Sequence, residues 1–218
     1  MELITDSLAY FQTHQDEFGE ALRTHLLLSV LALLVAIGIC VPLGILTSRW
    51  GVAARVIINA VGVARVVPSI AVLFLLLPYL GLGFAPALVA LTLLACPPVL
   101  INTDAGMRGV DPAILEAGRG LGMGAGRLVR EVQLPLALPV IIAGVRTSAV
   151  EVIASATLAT LIGGGALGVF IIRGLDVNRP EILMVGAVPV ALLAIATEAG
   201  LGLLQRKLSL SATETAGR

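Results

Sequence analysis

Charge placed where it is costly, and one loop with a fixed spacing of glutamate, glycine and proline, are the features with which this sequence could do chemistry. Arg65, Arg146, Glu151 and Glu198 lie in otherwise apolar stretches. An ionised group inside a bilayer is by default paired, or turned toward a wet interior. The loop reads Glu116-Ala117-Gly118, three residues, Gly122, nine residues, then Val132-x-Leu134-Pro135. Neither set is catalytic in kind. His14 and His25 are isolated, with no cysteine or carboxylate at ligand spacing, and there is no H-E-x-x-H. Cys40 and Cys96 both sit in apolar runs, so neither a structural disulfide nor a metal site is expected. A P-loop needs G-x-x-x-x-G-K-[ST], and the single lysine, Lys207, lies between Arg206 and Leu208. What remains is recognition and ion pairing.

The elements that position these groups are membrane helices. Hydrophobic residues make up 58% of the chain and charged ones 13%, against roughly 25% charged in soluble domains; mean hydropathy is +1.03. Leu26 to Leu46 carries no charge and, at about 1.5 Å per residue, reaches roughly the 30 Å of a bilayer's hydrocarbon core. The expected fold class is all-α integral membrane, with about five transmembrane helices at Thr24–Thr47, Val56–Leu80, Phe84–Asn102, Leu136–Ile162 and Ile182–Leu204. Pro68, Pro78, Pro97 and Pro98 predict kinks or breaks, and Pro97-Pro98 is able to divide the third span. Residues 1–23 then form an extracytoplasmic segment, 24–204 the transmembrane domain and 205–218 a cytoplasmic tail. The acidic start (Glu2, Asp6, Asp16, Glu17, Glu20) speaks against a cleaved signal peptide. With 14 basic and 14 acidic residues, nothing argues for a nucleic-acid partner.

Arg49 and Arg55 follow the first span. Arg108, Arg119, Arg127 and Arg130 fall between the third and fourth, and Arg206, Lys207 and Arg218 follow the fifth. The other side has Arg23, Arg173 and Arg179. The excess of positive residues on cytoplasmic loops predicts an N-terminus outside and a C-terminus inside. The motif loop, about 104–135, then faces the cytoplasm. Asp111-Pro112 is a good helix start, with aspartate at N-cap and proline at the first helical position. A short helix through about Arg119, a glycine-rich turn over Gly120, Gly122, Gly124 and Gly126, and a second short helix from Arg127 to about Gln133, ending before Pro135, are expected.

With its glutamate, glycine and L-P at these offsets, the loop resembles the coupling loop of bacterial ABC importer permeases. That pattern is E-A-A, three residues, G, nine residues, I-x-L-P. Gly118 stands where alanine is usual and Val132 where isoleucine is usual. The wider run Asn102-Thr103-x-x-Gly106, Val110-Asp111-Pro112-Ala113, then Ala143-Gly144-x-Arg146-Thr147, and later Leu161-Ile162-Gly163-x-Gly165-x-Leu167-Gly168, is similar to osmoprotectant permeases, which import glycine betaine, carnitine, choline and related solutes. The resemblance implies a type I importer in a bacterial cell membrane. It would hold two permease chains (identical or paralogous), a cytoplasmic ATPase dimer carrying ATP and magnesium, and an extracytoplasmic solute-binding protein. This chain would carry no cofactor. About a dozen residues follow the last span, so a receptor is expected as a separate chain. Asp111, Glu116, Ala117, Gly118, Gly122, Leu134 and Pro135 are the positions the resemblance assigns to ATPase coupling.

On the fourth span, Gly144, Ser148, Glu151 and Ser155 recur at spacings of four, three and four, on one helical face. Small and polar residues on such a face favour close helix packing or a wetted passage over lipid. Both readings stand; the path reading places this face near the permease–permease interface. Arg146 and Glu151 are five residues apart, poorly spaced to pair within one helix, so each calls for a partner elsewhere. Arg65, three residues before Pro68, is placed to donate to carbonyls freed by a kink. The cluster around Gly163 and Gly165 reads as a re-entrant segment or a flexible loop, and the resemblance assigns it to the outer gate. Aromatics are only 4% of the chain and scattered in sequence, so no local cage for a quaternary ammonium is evident. Selectivity is expected mainly in the receptor. A permease for another small solute such as an amino acid, a channel, or a membrane scaffold are the competing readings.

Overall fold

Proline and glycine decide where these helices stop, and they do so unevenly. The computed structural model describes residues 2–216, without the side chains of Val52, Ala53, Arg55, Ala64 and residues 210–216. Of the arginines used for orientation, the Arg55 side chain and Arg218 therefore lie outside the described residues. The chain runs α1 (Glu2–Thr13), α2 (Gln15–Thr47), α3 (Val52–Ala64), α4 (Ser69–Leu80), α5 (Phe84–Arg108), α6 (Pro112–Gly120) and α7 (Ala125–Leu128). A π-helical turn (Val129–Gln133) leads into α8 (Leu134–Ala156), a 3-10 segment (Thr157–Ile162), α9 (Gly168–Asp176) and α10 (Pro180–Ala216). Among the described residues there is no strand, as an all-α membrane protein requires.

Four stretches are long and apolar enough to cross a membrane: Gln15–Thr47, Phe84–Arg108, Ala125–Ile162 and Pro180–Ser209. The expected second span is not one helix. It breaks at Arg65–Pro68 into α3 and the shorter apolar α4, with Pro68 at the N-cap of α4. A proline has no N–H to continue the ladder, and its ring disfavours helical backbone in the residue before it. Pro97-Pro98 divides nothing, because α5 is continuous through both. Pro78 likewise stays inside α4, two residues from its end.

Contacts group the residues into two units, Met1–Val35 with Val67–Ala95 and Ala149–Thr197, and Ala36–Val66 with Cys96–Ser148 and Glu198–Arg218. In the first, Ile153, Leu167, Phe170, Ile182 and Val185 form a buried cluster, with Tyr10, Phe11 and Phe18 packed against it. The expected N-terminal segment is thus helical and joined to a core. In the second, Met107, Val110, Ala137 and Ile141 are buried together, with Val41, Ile45, Leu115 and Val129 at their edge.

Close helix crossings in the second unit explain the Asn102-Thr103-x-x-Gly106 run. A Cβ on Gly144 would stand 2.6 Å from Asn102 Cβ and from the Pro98 carbonyl oxygen, and one on Gly44 2.5 Å from Thr103 Cβ. On Gly106 it would meet the Ala137 carbonyl at 3.0 Å. Each residue of the run therefore marks a place where α5 touches α2 or α8 nearly backbone to backbone. Small residues are how membrane helices reach that distance.

Candidate coupling surface and charged pairs

The motif loop is built by three local devices, each traceable to a residue type. Asp111 caps α6: its side chain accepts from the Ala113 N–H at 2.8 Å, and Pro112 takes the first turn, where a missing donor costs nothing. At the other end Gly122 has φ +78°. Its N–H donates to Arg119 O at 2.9 Å, and the Met123 N–H donates to Gly118 O at 3.1 Å. These are the two bonds of a Schellman cap with Gly122 in the left-handed position, where a side chain is strained. The motif glycine is thus the residue that stops α6.

The third device corrects an expectation. No second short helix ends before Pro135. α7 runs through the π turn into α8, and the Leu134 N–H donates five residues back to Val129 O. The wider turn makes room for the Pro135 ring, which has no N–H and would crowd the carbonyl four residues earlier in an α-helix.

Glu116, Ala117, Gly122 and Pro135 are exposed on this loop, as is Asp111, while Leu134 packs at the edge of the core. Gly118, which departs from the usual alanine, is buried. A Cβ there would lie 2.5 Å from Leu128 Cδ1 and 3.4 Å from Met123 Sδ, so Leu128 occupies the missing methyl's space. Gly118→Ala is expected to be close to neutral. The helix gains up to about 1 kcal/mol in propensity, against about 0.5–1.5 kcal/mol to turn Leu128 aside. Thermal denaturation of the purified variant checks this; a large loss would mean that Leu128 cannot move. A cleft of about 570 Å³ beside the loop is lined by Arg49, Leu115, Arg119, Met123, Leu128 and Gln133, among others.

The apolar-stretch charges resolve in different ways. Arg146 Nε lies 3.3 Å from Glu198 Oε1, so the partner of Arg146 is on α10. Glu198, which by sequence alone was free to reach the interface, is the acid of that pair. Arg65 is the exposed residue that closes α3, at the break between α3 and α4. On α8, Gly144 and Ser148 are buried in the second unit, whereas Glu151 and Ser155 are half-buried in the first. The burial of Gly144 against Asn102 and Pro98 gives that end of the stripe a packing role.

In the first unit, Gly163 has φ +73° and closes the 3-10 segment with a second Schellman pair, Gly163 N–H to Thr160 O at 3.1 Å and Gly164 N–H to Ala159 O at 2.8 Å. Gly165 (φ +67°) turns the chain again before α9. The segment is packed against protein, with Ile162, Leu167 and Phe170 wholly buried. Arg173 of α9 donates from both terminal nitrogens to the Glu17 carboxylate, and one of them also donates to Tyr10 Oη at 3.2 Å. Its guanidinium carbon stands 5.7 Å from the Phe170 ring centroid. The fold thereby collects four aromatics scattered in sequence: Tyr10, Phe11, Phe18 and Phe170, with centroids 5.0–6.5 Å apart along the chain of contacts. The cation over Phe170 belongs to the protein itself.

Sequence reasoning missed the Glu17–Arg173 bridge, whose partners are 156 residues apart. It also missed a network around Arg108. Arg108 Nε donates to Asp104 Oδ2 at 2.9 Å. Arg108 Nη2 donates to the carbonyls of Thr47 (2.6 Å) and Trp50 (2.9 Å), and Gln133 Nε2 donates to Met107 O at 2.9 Å. Only the four-residue spacing of Asp104 and Arg108 was legible in advance.

Known proteins place this geometry. The chain is 45% identical over 202 residues to the carnitine transport permease protein OpuCB of Listeria monocytogenes, covering 93% of each. It is 42% identical to the choline transport system permease protein OpuBB of Bacillus subtilis, covering 92% of each. Among solved structures, an inward-facing MetNI methionine ABC transporter matches with a TM-score of 0.79 at 19% identity, covering 90% of this chain and 98% of the other. An amino acid ABC transporter solved with histidines matches at 0.73 and 21%, covering 91% and 97%. The fold is that of ABC importer permeases. The family model for the binding-protein-dependent transport system inner membrane component matches residues 22–210, and the chain belongs to that family of membrane transport subunits.

Proposed function

We propose that this chain is the membrane-spanning permease of an osmoprotectant importer. It forms a gated path for a quaternary ammonium or related compatible solute and is driven by a separate ATPase dimer. The supporting observation is the motif loop: a capped helix closed by Gly122, with Glu116 and Ala117 exposed next to an open cleft. A surface of that kind, on a chain without a P-loop, suits docking to a partner that supplies ATP and magnesium. The relatives named for carnitine and choline transport align over nearly the whole chain, which favours that solute class. The two helices α3 and α4 count as one interrupted crossing, giving five in all, with the N-terminus outside and the loop in the cytoplasm. A second permease chain and an extracytoplasmic receptor complete the assembly. The aromatic cluster already holds Arg173, so first recognition of the solute falls to the receptor. Glu151 and Ser155, half-buried on α8, line the path in this reading.

The deciding experiment is uptake into proteoliposomes holding the permease with its ATPase and receptor. Labelled glycine betaine, carnitine, choline, proline, methionine and histidine are offered in turn. Accumulation of at least one osmoprotectant, dependent on ATP and receptor, is expected, with little methionine or histidine. Uptake confined to the amino acids would replace the substrate class, and failure to recruit any ATPase would remove the permease reading.

A further inference from the structure

We infer that Arg108 is a positioning residue for energy coupling: it ties the end of α2 to the root of the coupling helix, so that the two are displaced together. This rests on the permease reading above and concerns how the loop's motion is passed on. Arg108 is the last residue of α5, and Asp111, the N-cap of α6, follows after only Gly109 and Val110. Its guanidinium reaches out of α5 to the last carbonyl of α2, Thr47 O, and to Trp50 O in the turn beyond.

The chemistry suits a strut. The C-terminal carbonyls of a helix carry partial negative charge and lack intrahelical donors, so a guanidinium there is favourable twice over. The planar fork presents Nε to Asp104 and Nη2 to two carbonyls at once, which an ammonium cannot reproduce. Asp104 is nearly buried, its side chain 10% exposed, and it holds the fork's orientation from one turn back on α5. Its second oxygen, Oδ1, has no hydrogen-bond partner, so the aspartate is committed to Arg108. Just below, the Gly44–Thr103 crossing brings the α2 and α5 backbones together. The loop's own Leu115 and Val129 pack with Val41 and Ile45 of α2 around Met107 and Val110. Apolar contacts alone allow sliding; the charged fork removes that freedom.

The test uses the full complex in proteoliposomes and reads solute moved per ATP hydrolysed. Arg108→Gln leaves Asp104 buried and unpaired, so the variant that carries the test is Asp104→Asn with Arg108→Gln, where no charge is stranded. That double variant is expected to fold, bind the ATPase and hydrolyse ATP as the wild type does, with the solute-to-ATP ratio lowered roughly fivefold. Arg108→Lys is expected to recover only part of the ratio. Spin labels at Arg49 and Ala113 should give one narrow distance distribution through turnover in the wild type and a broadened one in the double variant. A wild-type ratio in the double variant would overturn the inference, because Arg108 would then serve only to neutralise Asp104. Full recovery by lysine, or an unchanged distance distribution, would overturn it equally. If the wild-type complex itself recruits no ATPase, the permease reading fails instead.

Discussion

Gly168→Ala is expected to prevent this chain from reaching its native fold. A Cβ built on Gly168 lands on the Thr157 carbonyl, with the carbonyl carbon 2.7 Å away and Thr160 Oγ1 at 2.8 Å. The obstacle is backbone, in a segment already fixed by the Gly163 cap, so no rotamer change relieves it. Overpacking a well-packed interior costs about 1–3 kcal/mol when side chains can adjust, and more when they cannot. Against the 5–15 kcal/mol or so that holds a typical domain together, that is a large share. The expected result is little protein in the folded fraction on size-exclusion chromatography, and a strongly lowered melting temperature for what survives. Gly165→Ala tests a different cost at a neighbouring position: its Cβ would touch only Thr24 Cγ2 at 3.7 Å, so only the left-handed backbone is strained. Its loss should stay near 1–2 kcal/mol. Equal behaviour of the two would mean that the α9 segment shifts to admit a methyl group.

The contrast between these glycines shows what the sequence could and could not convey. The run Gly163 to Gly168 announced a special backbone, but not which glycine serves a turn and which a contact. φ +73° at Gly163 and the collision at Gly168 depend on where the 3-10 segment comes to lie. Helix caps were legible because their chemistry is local: Asp111-Pro112 begins α6 where its residue types say it should. Proline was legible only in part. Its cost depends on what covers the freed carbonyl, which is why Pro68 breaks a helix while Pro97-Pro98 do not. At Pro135 a π turn takes up the strain, and nothing in Leu134-Pro135 itself foretold it. Long-range charge pairs were beyond reach for a simpler reason. Arg173 and Glu17 are far apart in sequence, and an arginine carries no mark of its partner. Arg146 could be said to need one on another helix, but only packing identifies Glu198.

Gly122→Trp is expected to abolish transport while leaving the permease folded in the membrane, and the comparison with smaller residues says why. Two costs coincide at this position. The first is backbone: at φ +78° any L side chain is strained, by roughly 1–2 kcal/mol, and asparagine, the other residue that helix ends accept there, suffers least. The second is surface. Apart from its chain neighbours, no described residue lies within 4 Å of a Cβ on Gly122, so an indole there would start from open space on the exposed loop, where a docked partner is expected to meet it. Gly122→Asn should therefore transport close to the wild-type rate. Gly122→Ala should lose up to about tenfold through a weakened cap, since about 1.4 kcal/mol corresponds to a factor of ten. The tryptophan variant should lose ATPase binding altogether, measured by co-purification, with a melting temperature near that of the alanine variant. If tryptophan and alanine retain the ATPase equally, the glycine serves only to turn the chain. Docking must then be sought on the exposed face of α6 at Glu116 and Ala117.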